Sequence, residues 1–262
     1  MSARRRGGGE SLAVIPARGG STRLPGKNLA RLGGFPLVAF TVVAALRADL
    51  GRVIISTDSE AIARVGRRWG AETPFTRPAA LAGDETSTRE VILHALRHLA
   101  ETEAYRPEIV MVLPPTSPFR TSAQIRAGQA LLLGGGVASV VGIERVGQHH
   151  PYRMCAARAD GSLEDLVSVE RKSSRTQTHP ALYCRNASLY VSRASVFAPT
   201  GRADDLCFDP ASVRGLVMDR VSSLDITDAE DLRIAKALLA AGLARPDLRR
   251  AAWRQRRRRG GP

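Results

Sequence analysis

The chain reads as an α/β fold, a three-layer sandwich with a mostly parallel sheet covered on both faces by helices. Three observations predict it. Short β-branched runs alternate with segments of helical periodicity in a repeating βα order. The runs are continuously apolar, as strands buried on both faces are. A glycine-rich, cationic loop follows directly on the first of them, at the edge where such sheets bind ligands.

Taken in order, residues 12–16 form a first strand, 36–48 a helix, 52–56 a second strand, and 59–69 and 88–101 two further helices. Residues 109–113 give a third strand, 122–133 a helix and 138–143 a fourth strand. From 144 to 190 the pattern breaks into polar sequence with proline, glycine and histidine, which reads as an inserted lobe. Residues 189–192 look like a returning strand and 214–218 another. An amphipathic helix over 228–241, opened by Thr227 and Asp228, closes the pattern. There is no internal repeat.

A length of 262 residues with 44% hydrophobic content supports one substantial core, so a single main domain over 11–245 is expected, with tails at 1–10 and 246–262. The formal charge is +14, of which residues 1–10 hold +2 and residues 245–262 hold +7, leaving +5 for the rest. A charge run without a folded reading surface carries little sequence information, so specific nucleic-acid binding is not expected and both tails read as disordered. Arginine outnumbers lysine thirty-six to three, a compositional sign of a GC-rich source. Cys155, Cys184 and Cys207 are odd in number and lack CxxC spacing, which argues against a disulfide framework or a zinc site and fits a reducing, cytoplasmic setting. No apolar run approaches the roughly 18 residues that span a bilayer, and no signal-peptide core is present.

The stretch from Leu12 to Leu29 carries the strongest signal. Gly19 and Gly20 allow positive φ and the close approach of backbone N–H groups to an anion, with Arg18, Arg23 and Lys27 around it. A triphosphate is the natural guest. The phosphate-loop spacing is absent, because Asn28 follows Gly26-Lys27 and the earlier glycine is missing. The dinucleotide spacing Gly-x-Gly-x-x-Gly is absent too.

Ile15-Pro-Ala-Arg-Gly-Gly-Ser21 with Leu24-Pro-Gly-Lys-Asn28 instead resembles the sugar-nucleotidyltransferase signature, and more narrowly the acylneuraminate cytidylyltransferase family, the CMP-sialic acid synthetases. Further matches follow in order: Ile55-Ser-Thr-Asp58, Arg77-Pro-Ala-x-Leu-Ala-x-Asp84, Pro115-Thr-Ser-Pro-Phe-Arg120, His149-His-Pro151, Asn186 with Tyr190, and Asp225-Ile to Glu230-Asp-Leu232. The resemblance covers residues 11–239. It implies a Rossmann-like nucleotidyltransferase fold, a homodimer whose inserted lobe carries dimerisation and acceptor contacts, and transfer of CMP from CTP to the anomeric hydroxyl of a nonulosonic, sialic-like sugar acid. Such a step needs mainly positioning and neutralised phosphate charge.

By that resemblance Arg18, Lys27 and Asp225 are the catalytic candidates. Ala17, Arg18, Gly19, Ser21, Lys27, Asn28, Arg77 and Thr88 would meet CTP, with Arg77 on the cytosine side. Thr116, Ser117, Arg120, Gln177, Asn186 and Tyr190 would meet the acceptor, with Arg175 near its carboxylate. Mg²⁺, which prefers oxygen ligands and bridges carboxylates to phosphates, would be held by Asp225. Asp228 either joins it or serves as a residue favoured at a helix start. Asp58 reads equally as a site residue or a cap for the helix near Ser59. His149 and His150 are adjacent, so they cannot both face one metal from a regular strand, and the resemblance places them in the lobe.

Several positions depart from the family pattern. Thr227 replaces a second carboxylate, Pro114 a glutamine that contacts the sugar acid, Cys184 an arginine and Ala187 a glycine; Thr22 stands at a lysine position and Arg23 at a glycine. Arg185 is a candidate replacement for the arginine missing at Cys184. These departures leave open another acidic acceptor, such as a keto-deoxy sugar acid or a phosphonate. A relative that binds nucleotide without turnover and a basic nucleic-acid-binding protein are the alternatives from other classes.

Overall fold

The structure, a computed structural model, describes residues 11–168, 179–198 and 205–248. The basic tail expected at 1–10, residues 249–262 of the one expected at 246–262, and Arg175 and Gln177 lie outside the described residues.

The chain opens with β1 (Ser11–Pro16), a short ribbon of β2 (Arg31–Leu32) and β3 (Phe35–Pro36), α1 (Leu37–Arg47), β4 (Arg52–Ser56) and α2 (Glu60–Trp69). It continues through α3 (Thr88–Glu103), β5 (Ile109–Val112), α4 (Ser122–Leu133) and β6 (Ser139–Arg145). A hairpin of β7 (Cys155–Ala157) and β8 (Leu163–Asp165) follows, then β9 (Tyr183–Arg193), β10 (Val213–Val217) and α5 (Ala229–Ala240).

Six strands form the central sheet in the order β10-β6-β9-β5-β1-β4. All pairings are parallel except those of β9, which runs antiparallel to both β5 and β6. The amino end of β9 therefore lies at the same edge as the carboxyl ends of the other five strands. Alternate residues of β1 feed two cores: Ala13 and Ile15 pack with α1, α4 and α5, while Leu12 and Val14 pack with α3 and Phe197. This gives the three-layer α/β sandwich.

Local signals in the sequence set the helix starts. α3, α4 and α5 each begin with a capping box, Ser87 with Glu90, Thr121 with Gln124 and Asp228 with Asp231, in which each side chain satisfies an orphan backbone N–H. α1 is buried continuously from Leu37 to Ala45, as a helix apolar on all sides must be.

Two expectations change. The first returning strand, expected over four residues at 189–192, spans eleven in β9, so the projecting segment ends at Tyr183 rather than at 190. Its strand character was hidden by a bulge at Ala187, which takes φ 56° and breaks the alternation of inward and outward side chains. The expected tail boundary at 246 also shifts. Asp247 accepts from the Ser122 N–H at 2.5 Å and from its hydroxyl at 3.2 Å, and Leu248 is buried. The hairpin of β7 and β8 pairs only with itself and is exposed throughout.

Candidate active site

A cleft of about 570 Å³ opens at the carboxyl edge of the sheet. Its floor is the end of β1 at Pro16, and the loop after β1 supplies Arg18, Ser21, Arg23, Lys27 and Asn28. The segment before α3 supplies Arg77, Asp84 and Thr88, the loop after β5 Pro114, Pro115 and Thr116, and the turn before α5 Asp225 and Thr227.

Neither Gly19 nor Gly20 has positive φ; the left-handed residue is Gly26 at φ 67°, which starts the short 3-10 turn Lys27–Leu29. Gly19 is required by close approach, since a Cβ there would lie 3.1 Å from that of Ser59. Its N–H donates to Asp58 Oδ1 at 2.8 Å, so that N–H is held by the protein. Asp58 thus fastens the loop to the end of β4 rather than capping α2. Ala17 is fully buried, with its N–H on the Ser56 carbonyl. Asn28 donates to the Arg18 carbonyl at 2.8 Å, which fixes the loop from inside, while its buried Oδ1 has no partner among the described residues.

Cations gather on this wall. Lys27 Nζ donates to the Ile226 carbonyl at 3.0 Å, joining the loop to the turn that carries Asp225. Burial holds its ammonium below the usual lysine range; Asp225 opposes that shift and Arg23 and Arg18 reinforce it. Arg18 pairs across the cleft with Asp84 at 2.5 Å. Asp84 belongs to a quoted motif but carried no assigned role, because an ion pair between distant loops leaves no spacing signal. Arg77 is buried and donates to the Ser56 hydroxyl and carbonyl, and burial presses its guanidinium down to about 10. It remains part of the cleft wall.

Asp225 has only long contacts, with the Ser117 hydroxyl at 3.5 Å and the Thr227 hydroxyl at 3.4 Å. Its carboxylate therefore keeps most of its acceptor capacity. Asp228 is spent elsewhere: its Oδ1 accepts from the Glu230 and Asp231 N–H groups at the start of α5. The neighbouring Ile226 N–H donates to the Thr116 carbonyl at 2.8 Å, holding the two cleft loops together.

The expected acceptor residues divide. Thr116 lines the cleft, and Ser117, 1% exposed, stands beneath Asp225. Arg120 is not brought to the cleft. It is fully buried and donates to the Pro114 and Ser188 carbonyls and the Thr41 hydroxyl, because a buried guanidinium requires partners for its N–H groups. Asn186 spends its amide on Ser223 and Ser188, filling the bulge of β9. Tyr190 lies half-buried opposite Val112, the last residue of β5, and its ring stacks on Phe208.

His150 is a structural pin of the projecting segment. Its Nδ1 accepts from the Tyr152 N–H, so Nε2 carries the proton and donates to the Pro180 carbonyl at 3.1 Å. His149 is exposed. Among the described residues no group of three or more His, Cys, Asp or Glu side chains could hold a metal ion, and no helix is long and apolar enough to cross a membrane.

The family model described as "Cytidylyltransferase" matches residues 12–127, from β1 through the first half of α4. A CMP-N,N'-diacetyllegionaminic acid synthase of Legionella pneumophila is 31% identical over 87% of this chain and 95% of its own. A pseudaminic acid cytidylyltransferase of Campylobacter jejuni is 37% identical over 87% and 96%. An N-acylneuraminate cytidylyltransferase of Escherichia coli is 31% identical over 86% of this chain and 51% of that one. Among solved structures, a CMP-2-keto-3-deoxy-manno-octonic acid synthetase complexed with CTP superposes with TM-score 0.64 at 15% identity, covering 89% of this chain and 99% of that one. A 4-diphosphocytidyl-2C-methyl-D-erythritol synthase of Anaerococcus prevotii gives 0.58 at 13%, covering 88% and 98%. These two share the fold. The two relatives matched along nearly their whole length extend the family match from the first half of the chain to the turn bearing Asp225, and the chain belongs to the acylneuraminate cytidylyltransferase family of nucleotidyltransferases.

Proposed function

We propose that this chain transfers CMP from CTP to the anomeric hydroxyl of a nonulosonic, sialic-like sugar acid. The anomeric oxygen attacks the α-phosphorus, the bond to the β-phosphate oxygen breaks, pyrophosphate leaves, and the hydroxyl proton passes to solvent. The observation that carries the reading is the opposition within one cleft of Arg18, Arg23 and Lys27 on the loop after β1 to the under-committed carboxylate of Asp225. Charge spread over three phosphates needs the first group, and a cation bridging protein to phosphate needs the second.

Arg18 and Lys27 would neutralise the triphosphate, while Asn28, which lines the cleft and whose buried Oδ1 has no partner among the described residues, would hold the loop in shape. Mg²⁺ fits this site as an ion shared with substrate. Asp225 would hold it, and phosphate oxygens and water would complete its six oxygen ligands. When bound, it would polarise the α-phosphate. Asp228 is not needed for this, since its carboxylate caps α5. A homodimer built on the projecting segment belongs to the same proposal and is supported by the exposed Leu163, Leu166 and Tyr183.

The test is pyrophosphate release from purified protein with four nucleoside triphosphates crossed against sialic, other nonulosonic, keto-deoxy and phosphonate acceptors. Release with CTP and a nonulosonic acid is expected. Release confined to keto-deoxy acids or phosphonates would replace the acceptor, and no release with any CTP pair would remove the enzymatic reading.

A further inference from the structure

The cleft is rich in cations and short of acid. Its ionisable lining is Arg18, Arg23, Lys27 and Arg77 against Asp84 and Asp225, and Asp84 is taken by Arg18. The carboxylates around it are held by backbone: Asp58 by the Gly19 N–H, Asp228 by the first N–H groups of α5, and Asp231 by the N–H groups of Thr227 and Asp228. Asp225 alone among the described lining carboxylates lacks a short bond, and it lies within electrostatic reach of Lys27 and the buried Arg120. A doubly charged cation is held where anions outweigh cations, and before nucleotide binds they do not. A triphosphate brings several negative charges and reverses that balance.

Thr227 shapes this state. Its N–H is fixed on Asp231 Oδ2 at 2.8 Å, and its branched side chain is restricted about χ1. The Thr227 hydroxyl stands 3.4 Å from Asp225 Oδ2, and the Ser117 hydroxyl stands 3.5 Å from Oδ1. One hydroxyl therefore flanks each carboxylate oxygen, at a distance too long to consume it. A carboxylate at 227 would add a second negative charge at the same place. The hydroxyl adds orientation without charge.

We infer that Thr227 is a positioning residue for Asp225, and that with a hydroxyl in this place the chain takes its divalent cation only as the complex with the nucleotide. This rests on the proposed reaction, through the role given there to Asp225. In the free enzyme Asp225 is oriented between two hydroxyls but outweighed by the cations opposite. Once Arg18 and Lys27 hold the triphosphate, Asp225 supplies the protein's ligand to the ion that the phosphates carry.

Isothermal titration of the full chain with Mn²⁺ alone, and with CTP in either EDTA or excess Mn²⁺, tests this in the wild type, Thr227→Asp, Thr227→Val and Thr227→Ser. No acceptor is present, so turnover does not enter the readout. The wild type is expected to bind Mn²⁺ alone with a dissociation constant above about 1 mM, and to bind CTP at least about tenfold more tightly with Mn²⁺ than in EDTA. Thr227→Asp is expected to bind Mn²⁺ alone at least about tenfold more tightly than the wild type. Thr227→Val should lose about 3- to 10-fold of the metal-dependent gain in CTP affinity, with the constant in EDTA within about twofold, and Thr227→Ser should restore it. Val leaving that gain intact, or moving both CTP constants together, overturns the positioning role. Mn²⁺ alone bound by the wild type below about 1 mM, Thr227→Asp no tighter than the wild type, or equal CTP affinity in Mn²⁺ and EDTA overturns the mode of metal entry while leaving CTP as the substrate. A wild type that binds CTP in neither condition overturns the proposed reaction as well.

Discussion

The Arg18–Asp84 pair predicts that removing a charge from the active site tightens its substrate. Arg18 Nη2 lies 2.5 Å from Asp84 Oδ1, with the two side chains 32% and 55% exposed. A pair this accessible belongs to the class worth about 0.2–1 kcal/mol. A triphosphate bound to Arg18 must break or share that pair, and Asp84 adds its own repulsion to a polyanion. Asp84→Asn, isosteric and neutral, is therefore expected to lower the CTP dissociation constant by roughly 1.4- to 5-fold, the factor that 0.2–1 kcal/mol sets at 25 °C. The gain should shrink with added salt, as interactions between exposed charges do. Isothermal titration with CTP at two ionic strengths reads both effects. A double-mutant cycle with Arg18→Ala isolates the pair: in that background Asp84→Asn should lose most of its benefit. CTP binding weakened threefold or more by Asp84→Asn alone would refute the reasoning and make Asp84 a residue that orients Arg18 for phosphate.

Four further outcomes follow from the same geometry. Asp225→Asn is expected to cut kcat by at least about 100-fold with little change in melting temperature, since its carboxylate has only long protein contacts; retained turnover would place the metal elsewhere. Arg120→Met should leave the buried Ser188 carbonyl short of a donor and the half-buried Pro114 carbonyl with only the long Thr41 bond, costing about 2–5 kcal/mol, a fall of roughly 5–15 °C in Tm; a rise in acceptor KM at unchanged Tm would return Arg120 to the substrate. Lys27 has a folded pKa below its ordinary 10.5, so its charged form is disfavoured by folding and the chain gains stability as pH rises between the folded and the unfolded value. Lys27→Met should therefore melt no lower than the wild type at pH 7, with any advantage disappearing toward pH 10.5, while kcat/KM drops at least about tenfold. Finally, ending the chain after Leu248 should leave turnover and Tm unchanged, whereas ending it after Arg245 removes the Asp247 bonds to Ser122 and should lower Tm by about 2–8 °C.

The sandwich was legible because its strands are short apolar runs and its helices carry capping residues at the right spacing. Arg18, Lys27 and Asn28 were legible as candidates because they lie in the loop after β1, where a parallel sheet presents loops to ligands, and Asp225 because its turn resembles a motif of the family. What stayed hidden depends on contacts distant in sequence. Arg120 looks like a loop cation beside Thr116 and Ser117, and only the packing of Ser188 and Thr41 around it turns it inward. Asp228 was open to two readings, a carboxylate near Asp225 and a residue favoured at a helix start, and its bonds to the α5 N–H groups bear out the second. Arg185 was legible as a cation near a missing arginine, but its stacking over Phe208, twenty-three positions further along, was not.

The Asp247 carboxylate ties together groups 125 and 200 positions earlier, at Ser122 and Arg47. During synthesis α1 and α4 leave the ribosome long before it. Until residue 247 is made, the Ser122 N–H at the start of α4 lacks this partner. Completion of the domain therefore waits on the synthesis of residue 247. A message truncated shortly before residue 247 would yield a chain with every strand in place and the start of α4 permanently without this partner, a natural substrate for proteolytic clearance.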